Sequence, residues 1–481
     1  MPTSRPPDAA RAMILPFALA QFICSYAGTA MNVAITPMAH DLHTTVFGVQ
    51  TTITLFTLTM AALMIPGSKL TDVWGRKRCL VGGLLLYGVG ALLAAVAPGL
   101  GVMLLGNALL EGVGSALMIP PIYILITVAS PDLAVRAKYF GIVSGAGALG
   151  AATGPLIGGL ITTLITWRAS FLLQVLVIAW IVVLVRRLPD PARPDPRPHF
   201  DVTGAVLSAV GLLFVVLGVL LSTTYGWGAA RTDFTVAGHV LIAEGGVSPV
   251  WPSLALGALA LALFVLHLRR TERAGRTPLV HLRMFTNRAA NLGLGTQTVQ
   301  WLVMQGMFFV TAVYLQDALG YSAVMTGLAL TPATAGILAS SAAAERFARR
   351  RSQRTLIVGG FVLTVAGTVT LLALGATGTG AWRAAPGLLV AGVGLGAMLT
   401  ASVNLVQSAF PDRDQGDISG LSRAVSNLGS SLGTALVGSV IVSAAQPGRH
   451  PYAASLTVLV IITVAGLLVA VRLPREPAPG G

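Results

Sequence analysis

Long apolar runs separated by short polar segments extend along the chain from residue 12 to residue 471. Fourteen of these runs have about the 20 residues that a helix needs to cross roughly 30 Å of hydrocarbon. They cover 12–36, 48–66, 79–97, 101–128, 139–165, 170–188, 202–222, 250–268, 289–316, 325–344, 355–374, 385–409, 418–444 and 453–471. The pattern therefore predicts an all-α polytopic membrane protein with fourteen transmembrane (TM) spans.

The composition and the placement of charges agree with this prediction. The 481-residue chain is 54% hydrophobic and only 10% charged, against roughly 25% charged residues in soluble domains. Its 31 Lys and Arg residues fall on the side of the two chain ends, except for Arg168, Arg231, Arg383 and Arg449. Cytoplasmic loops are enriched in cations, so both termini are predicted to be cytoplasmic in a multi-pass cell-membrane protein. These cations would face anionic membrane lipids, and the net charge of +14 requires no nucleic acid.

An internal repeat divides the chain. Gly112-Val113-Gly114 in span 4 recurs 280 residues later as Gly392-Val393-Gly394 in span 12. Duplicated halves around a central site are a transporter architecture. We therefore predict two six-helix bundles, 1–188 and 289–481, with a proline-rich linker and two inserted helices in 189–288. The outer loop 223–249 is expected to form a small hairpin.

Two glycine-rich motifs stand out from the apolar pattern. The loop between spans 2 and 3 carries Gly67, Asp72, Gly75, Arg76, Lys77 and Arg78. Span 5 carries Gly150, Gly154, Pro155, Gly158 and Gly159, a stripe of small residues that lets another helix approach closely. An ordinary positively charged turn and a generic packing stripe are the alternative interpretations.

These motifs resemble those of the major facilitator superfamily, and the fourteen spans with an inserted pair resemble its fourteen-helix drug:proton antiporters. The resemblance implies a proton-coupled exporter of lipophilic or amphipathic small molecules, with roles in multidrug efflux and antibiotic resistance. It implies a monomer that uses protons and a small-molecule substrate, with no cofactor and no enzymatic activity. An exporter of one endogenous metabolite or lipid, and an uncoupled facilitator, remain alternatives.

The resemblance also predicts two contacts between the halves. Asp72 is expected to hold an inner gate by pairing with Arg136 and with the start of span 11 near Thr355. Gly154 and Pro155 are expected to set the contact of span 5 with the other half.

Glu111 is the one acid that the sequence places well inside a span. An ionisable group at membrane depth is costly, so it indicates a functional site. Many of the antiporters have an Asp where this chain has Ala27 and an Arg where it has Ala108. We therefore predict that Glu111 carries the proton, with Asn107 one helical turn away as its neighbour. A purely structural hydrogen bond between helices is the alternative.

Polar and aromatic residues within the spans are candidates for the wall of a substrate cavity. They are Tyr26, Asn32, Thr54, Gln297, Gln300, Trp301, Asn404, Gln407 and Asn427. We place no Arg or Lys at membrane depth, so the cavity is expected to be largely neutral. Such a cavity favours lipophilic cargo, including cations, over sugars or phosphorylated metabolites.

Overall fold

Fourteen long helices make up most of the computed structural model, which describes residues 7–129, 133–188, 200–236, 239–348, 352–375, 381–410, 415–444 and 450–474. They are α1 Pro7–Ala30, α2 Val46–Trp74, α3 Arg76–Ala95, α4 Leu100–Ala129, α5 Leu133–Leu164, α6 Trp167–Arg186, α7 Val202–Tyr225, α8 Val250–Arg273, α9 Arg288–Val313, α10 Ala323–Ala348, α11 Gln353–Gly375, α12 Ala385–Ser408, α13 Gln415–Ser443 and α14 Pro451–Val471. Within the described residues, 14 helices are long and apolar enough to span a membrane, which confirms the predicted number.

Shorter elements complete the described part of the chain. A short helix, Ile35–Asp41, and the 3-10 turns Met31–Val33, Leu282–Thr286 and Ala381–Ala384 connect the spans. Two stretches are wound as π-helix, Leu104–Glu111 within α4 and Tyr314–Ala318 after α9. Such stretches are frequent at functional sites.

The predicted loop between spans 2 and 3 is mostly helical. Helix α2 continues through Gly67 to Trp74, and the turn is confined to Gly75, whose φ of 101° suits glycine. A helix does not have to end where its apolar residues end, because polar residues form helix equally well beyond the hydrocarbon. The prediction that Gly67 to Arg78 form a short turn was therefore wrong.

An even number of alternating helices places the first and last described residues at the same end of the bundle, which we call the terminal end. Two hydrogen bonds mark it. Lys77 Nζ at the start of α3 donates to the Leu188 carbonyl oxygen after α6, at 2.5 Å. Arg354 Nη2 at the start of α11 donates to the Val471 carbonyl oxygen at the end of α14, at 2.8 Å. We call the opposite side the far end.

Matching glycine contacts support the predicted internal duplication. Helix α3 packs on α4 through two glycine pairs, and α11 packs on α12 through two more. In each pair, a Cβ on the first glycine would lie 2.6–2.7 Å from the carbonyl oxygen of the second. The pairs are Gly83–Gly114 and Gly90–Gly106 in the first set, and Gly360–Gly394 and Gly367–Gly387 in the second. The boundaries of the two predicted bundles stay a prediction.

The two inserted helices pack on each other, and the first of them, α7, also packs on α13. Ser439 in α13 accepts hydrogen bonds from Ser222 Oγ at 2.6 Å and from Trp227 Nε1 at 2.9 Å. The loop that follows α7 contains β1, Phe234–Val236, and β2, His239–Ile242, which pair antiparallel. The predicted hairpin is thereby confirmed. Val236 pairs with His239 and Thr235 with Val240, and the register shifts between Thr235 and Phe234.

Candidate functional site

A cavity lies between the first six helices, α1–α6, and the last six, α9–α14. Helices α1, α2, α4 and α5 form one wall, and α9 and α13 form the other. Its apolar surface includes Phe56, Met60, Met64, Ile119 and Trp301. Its polar groups include Gln21, Ser25, Gln305, Arg423, Ser426 and Asn427. A largely apolar wall with a few converging polar groups is typical of a small-molecule site.

Close packing of α5 on α10 closes the cavity toward the far end. A Cβ at Gly327 would lie 2.5 Å from the carbonyl oxygen of Pro155. A Cβ at Gly159 would overlap the carbonyl oxygen of Ala323. The two backbones are therefore in direct contact across the two sets of six helices.

Two glutamine side chains add to this closure. Gln316 donates from Nε2 to the Asn32 carbonyl oxygen at 3.1 Å and accepts from the Thr36 amide at 3.2 Å. Gln50 Nε2 in α2 donates to the Thr434 carbonyl oxygen in α13 at 2.8 Å. All of these bonds join the first six helices to the last six. The described conformation is therefore closed at the far end.

The terminal side of the cavity is bridged by charged groups. Lys69 Nζ, near the end of α2, lies 2.6 Å from Asp417 Oδ1 at the start of α13. Their side chains are 25% and 19% exposed, so the pair is partly desolvated. Arg423 Nη2 in α13 donates to the hydroxyl of Tyr123 in α4, and the guanidinium lies 5.3 Å from the centre of that ring.

Glu111 is fully buried at the end of the π-helical stretch of α4. Asn107 Nδ2 donates to Glu111 Oε2 at 3.2 Å, so the two side chains share a face, as their spacing predicts. Glu111 Oε1 and Asn107 Oδ1 have no hydrogen-bond partner within the described part of the chain. A buried polar atom without a partner is costly, which indicates a group that changes its bonding.

Glu111 does not line the cavity but lies behind it. Cys24 in α1 lines the cavity, and its Sγ contacts Ser115 Oγ at 3.5 Å. Ser115 is one helical turn from Glu111 on α4. One layer of side chains therefore separates the buried acid from the cavity.

The sequence-family model of the Major Facilitator Superfamily matches residues 17–434 of this chain. The chain belongs to the Major Facilitator Superfamily. It is 30% identical over 428 residues to a probable actinorhodin transporter of Streptomyces coelicolor, covering 86% of this chain and 69% of that protein. It is 28% identical to the puromycin resistance protein pur8 of Streptomyces alboniger, covering 94% and 86%. A crystal structure of the peptide transporter POT shares the fold, with a TM-score of 0.64 at 16% identity over 96% of this chain and 94% of that one.

The superfamily loop motif holds helices together at the terminal end. A Cβ at Gly67 would overlap the Ala116 carbonyl oxygen, so α2 and α4 are in backbone contact. Lys77 also donates to the Arg186 carbonyl oxygen at 3.1 Å, where a cation opposes the negative end of α6. Arg76 is half-buried and Arg78 is exposed. The side chains of Asp72 and Arg136 lie outside the described residues, so their pairing stays a prediction.

The glycines of α5 do not all face the same partner. Gly150, Gly154 and Gly158 pack on α1, where a Cβ would overlap or crowd Phe22, Thr29 and Ala30 respectively. Pro155 and Gly159 are the motif residues whose close contacts with α10 the structure describes. The prediction that Gly154 sets the contact between the halves is corrected here. Positions 150, 154 and 158 share one helix face, and positions 155 and 159 are rotated away from it.

The structure places some of the predicted cavity residues on the cavity wall and others away from it. Trp301 and Asn427 lie on the cavity wall. The others lie off this wall: three bond serine side chains, two are fully buried with polar side-chain atoms that have no hydrogen-bond partner among the described residues, and two are exposed or half-buried. Tyr26 bonds Ser170, Gln297 bonds Ser422 and Gln300 bonds Ser402. Asn32, just after α1, and Thr54 are fully buried, and the Thr54 carbonyl oxygen accepts a hydrogen bond from Ser431. Asn404 is exposed and Gln407 is half-buried.

Arg423 is the main functional candidate that the sequence did not reveal. Its charge was counted with those on the side of the chain ends, although it falls within the predicted span 418–444. The candidate membrane span of α13 runs from Asp417 to Ser443. The expectation of a cavity without Arg or Lys was therefore wrong. Arg423 was missed because a cation close to the start of a span was counted with the loop cations, and only the packing of α13 shows that it lines the cavity.

A cluster at the far end holds the short connecting helix in place. Asp41 accepts from Trp167 Nε1 at 2.9 Å and from Arg168 Nη1 at 2.8 Å. The Trp167 bond, with Arg168 adding to it, lowers the pKa of Asp41. Arg168 also donates to the Ala97 carbonyl oxygen at 3.0 Å. These bonds join α6 to the ends of α3 and of the short helix.

We expect the Lys69–Asp417 ion pair to hold α2 and α13 together at the terminal end. Lys69→Asp or Asp417→Lys should each lower transport about fivefold, because a partly desolvated charge then faces a like charge. The double exchange, Lys69→Asp with Asp417→Lys, should recover most of the loss. Transport rates of the four proteins at equal membrane abundance check this, and a double variant as slow as the worse single variant would contradict it.

Proposed function

We propose that this chain exports lipophilic small molecules from the cytoplasm in exchange for protons. It would act as a carrier in the cell membrane, with both termini cytoplasmic and the cavity as its substrate site. The observation that carries the proposal is the cavity between two sets of six helices, with one buried acid behind its wall. The similarity to proteins named for antibiotic transport and resistance supports the choice of cargo.

The contacts around the cavity suggest how access could alternate. In the described conformation the far end is closed by α5 on α10 and by the two glutamines. Opening that end requires the two sets of six helices to separate there and to close more tightly at the terminal end. We infer that segments 1–188 and 289–481 move as the two units of this change, and that the Lys69–Asp417 pair strengthens in the second state.

Glu111 and Asn107 suit a proton site that serves both protonation states. An ionised Glu111 accepts from the Asn107 amide nitrogen, as the 3.2 Å bond describes. A neutral Glu111 is a donor, and a rotated Asn107 amide would present its oxygen at the same place. Each state then keeps one hydrogen bond at full burial. Because Cys24 and Ser115 separate Glu111 from the cavity, coupling would pass through helix movement rather than direct contact with substrate.

Proteoliposomes with an imposed pH gradient test this function. The purified protein is reconstituted, and accumulation of puromycin and of anilinonaphthalene sulfonate is followed with an acidic lumen and with no gradient. Protein-free liposomes under the same gradient measure passive trapping. We expect the gradient to drive accumulation of at least one probe above that control. Equilibration of a probe without any effect of the gradient would instead indicate an uncoupled facilitator.

A further inference from the structure

We propose that Arg423 is an anion-binding residue of the cavity, and that the preferred substrates are aromatic amphipaths carrying a carboxylate, sulfonate or phenolate group. This inference rests on the proposed function, since it names the chemical class that the same cavity takes. It also reverses the expectation of neutral or cationic cargo drawn from the apolar runs.

The position of Arg423 is the first argument. The residue lies in the second turn of the candidate span of α13, and it lines both the central cavity and a smaller adjoining pocket with Tyr123 and Gly420. A cation inside a membrane span is costly and marks a substrate or ion path by default. Arg423 is half-buried, so its side chain is neither fully solvated nor fully enclosed by neighbouring side chains.

The partners of Arg423 are the second argument. Its Nη2 donates to the Tyr123 hydroxyl, which donates in turn to Gln21 Oε1 at 3.3 Å. Gln21 Nε2 donates to Ser25 Oγ at 3.3 Å, which extends the chain of bonds along the cavity wall. Among the side chains that the structure describes, no carboxylate lies within ion-pair distance of Arg423. The guanidinium has five N–H donors, and the described bonds use one of them.

Glu111 does not neutralise this charge by contact. The acid is fully buried behind Cys24 and Ser115, and its described hydrogen bond goes to Asn107. Within the described residues, the cavity therefore presents a cation with unused donors and no adjacent anion. Charge-assisted bonds to carboxylate or sulfonate are the strongest that such a fork can make.

The rest of the wall selects the body of the substrate. Phe56 and Trp301 offer aromatic surfaces on opposite sides, and Met60 and Met64 offer adaptable thioether surfaces. Gln305 bonds the Gly28 carbonyl oxygen across the two sets of six helices, at 3.1 Å. A substrate with its aromatic skeleton between Phe56 and Trp301 and its acidic group at Arg423 would contact both the apolar part and the charged part of the wall.

A matched pair of fluorescent probes tests this inference by binding alone. Anilinonaphthalene sulfonate and phenylnaphthylamine share one aromatic skeleton, and only the first carries a negative charge. Each is titrated with the purified protein in detergent. We expect Arg423→Gln to weaken binding of the sulfonate about tenfold or more, and to leave binding of the neutral amine within about twofold. Arg423→Lys keeps the charge and should retain most of the sulfonate affinity.

Tyr123→Phe separates this role from a structural contact between α13 and α4. It removes the hydroxyl that Arg423 bonds but leaves the cation and the ring. If Arg423 only bridges the helices, Tyr123→Phe and Arg423→Gln should weaken both probes alike, which would overturn the proposal. Failure of the wild-type protein to bind the sulfonate would overturn it too. Charge-selective binding without gradient-driven transport would instead contradict the proposed function and leave the anion site standing.

Discussion

Replacing Glu111 with glutamine is expected to abolish accumulation driven by a pH gradient while leaving substrate binding intact. Glutamine keeps the size of the side chain and can still bond Asn107, so packing in α4 is preserved. It cannot bind or release a proton in the accessible pH range. Gradient-driven accumulation in proteoliposomes should fall to the level of protein-free liposomes, and exchange of substrate at equal concentrations should continue.

The same chemical change at an exposed position provides the control. Glu244 lies exposed after β2, and its described hydrogen bond is made by its backbone amide to Asp233 Oδ1, at 2.7 Å. Glu244→Gln should therefore transport like the wild type. Binding affinity, measured in detergent, should be similar for all three proteins. If Glu111→Gln still concentrates substrate at the wild-type rate, the proton is carried by another group or transport is uncoupled.

The fold and the buried acid were predictable from the sequence because both depend on local composition. A span reveals itself by its apolar length, and fourteen such lengths gave the correct number of helices. Glu111 stands out because one carboxylate interrupts an apolar run. Its bond to Asn107 follows from a spacing of four residues on a helix. The glycine repeat predicted a duplication that the α3–α4 and α11–α12 contacts support.

The cavity wall was not predictable because it depends on how helices rotate and where they meet. Gln297 and Gln300 are as polar as Gln305, yet they bond serines within the last six helices while Gln305 faces the cavity. No spacing rule separates them without knowledge of the neighbouring helix. Lys69 was assigned to a loop because helix α2 continues through polar sequence, and Arg423 was counted with the loop cations because it lies close to the start of span 13. Charge was read as a sign of a loop, and at these positions it is part of the site.

Replacing Gly159 with valine is expected to reduce transport strongly without preventing membrane insertion. Its α-carbon faces the backbone of α10, where a Cβ would overlap the Ala323 carbonyl oxygen. The neighbouring Val324 amide also donates to Thr163 Oγ1 in α5 at 3.0 Å, so this contact fixes the far end. Overpacking costs about 1–3 kcal/mol. Because the clash exists only when the far end is closed, it would shift the two states about 5- to 150-fold.

Two further glycine variants make this test specific, one on the opposite helix, α10, and one at an unconstrained position of α5. Gly327→Val places a branched side chain against Pro155 from the α10 side and should produce the same loss. Gly145→Val lies on α5 at a position with no heavy atom within 4 Å of an added Cβ, so it should transport normally. Cysteine accessibility at the far end should rise in the first two variants alone, because the conformation open at that end is favoured. Normal transport by Gly159→Val at wild-type abundance would mean that the described contact between α5 and α10 is not part of the cycle.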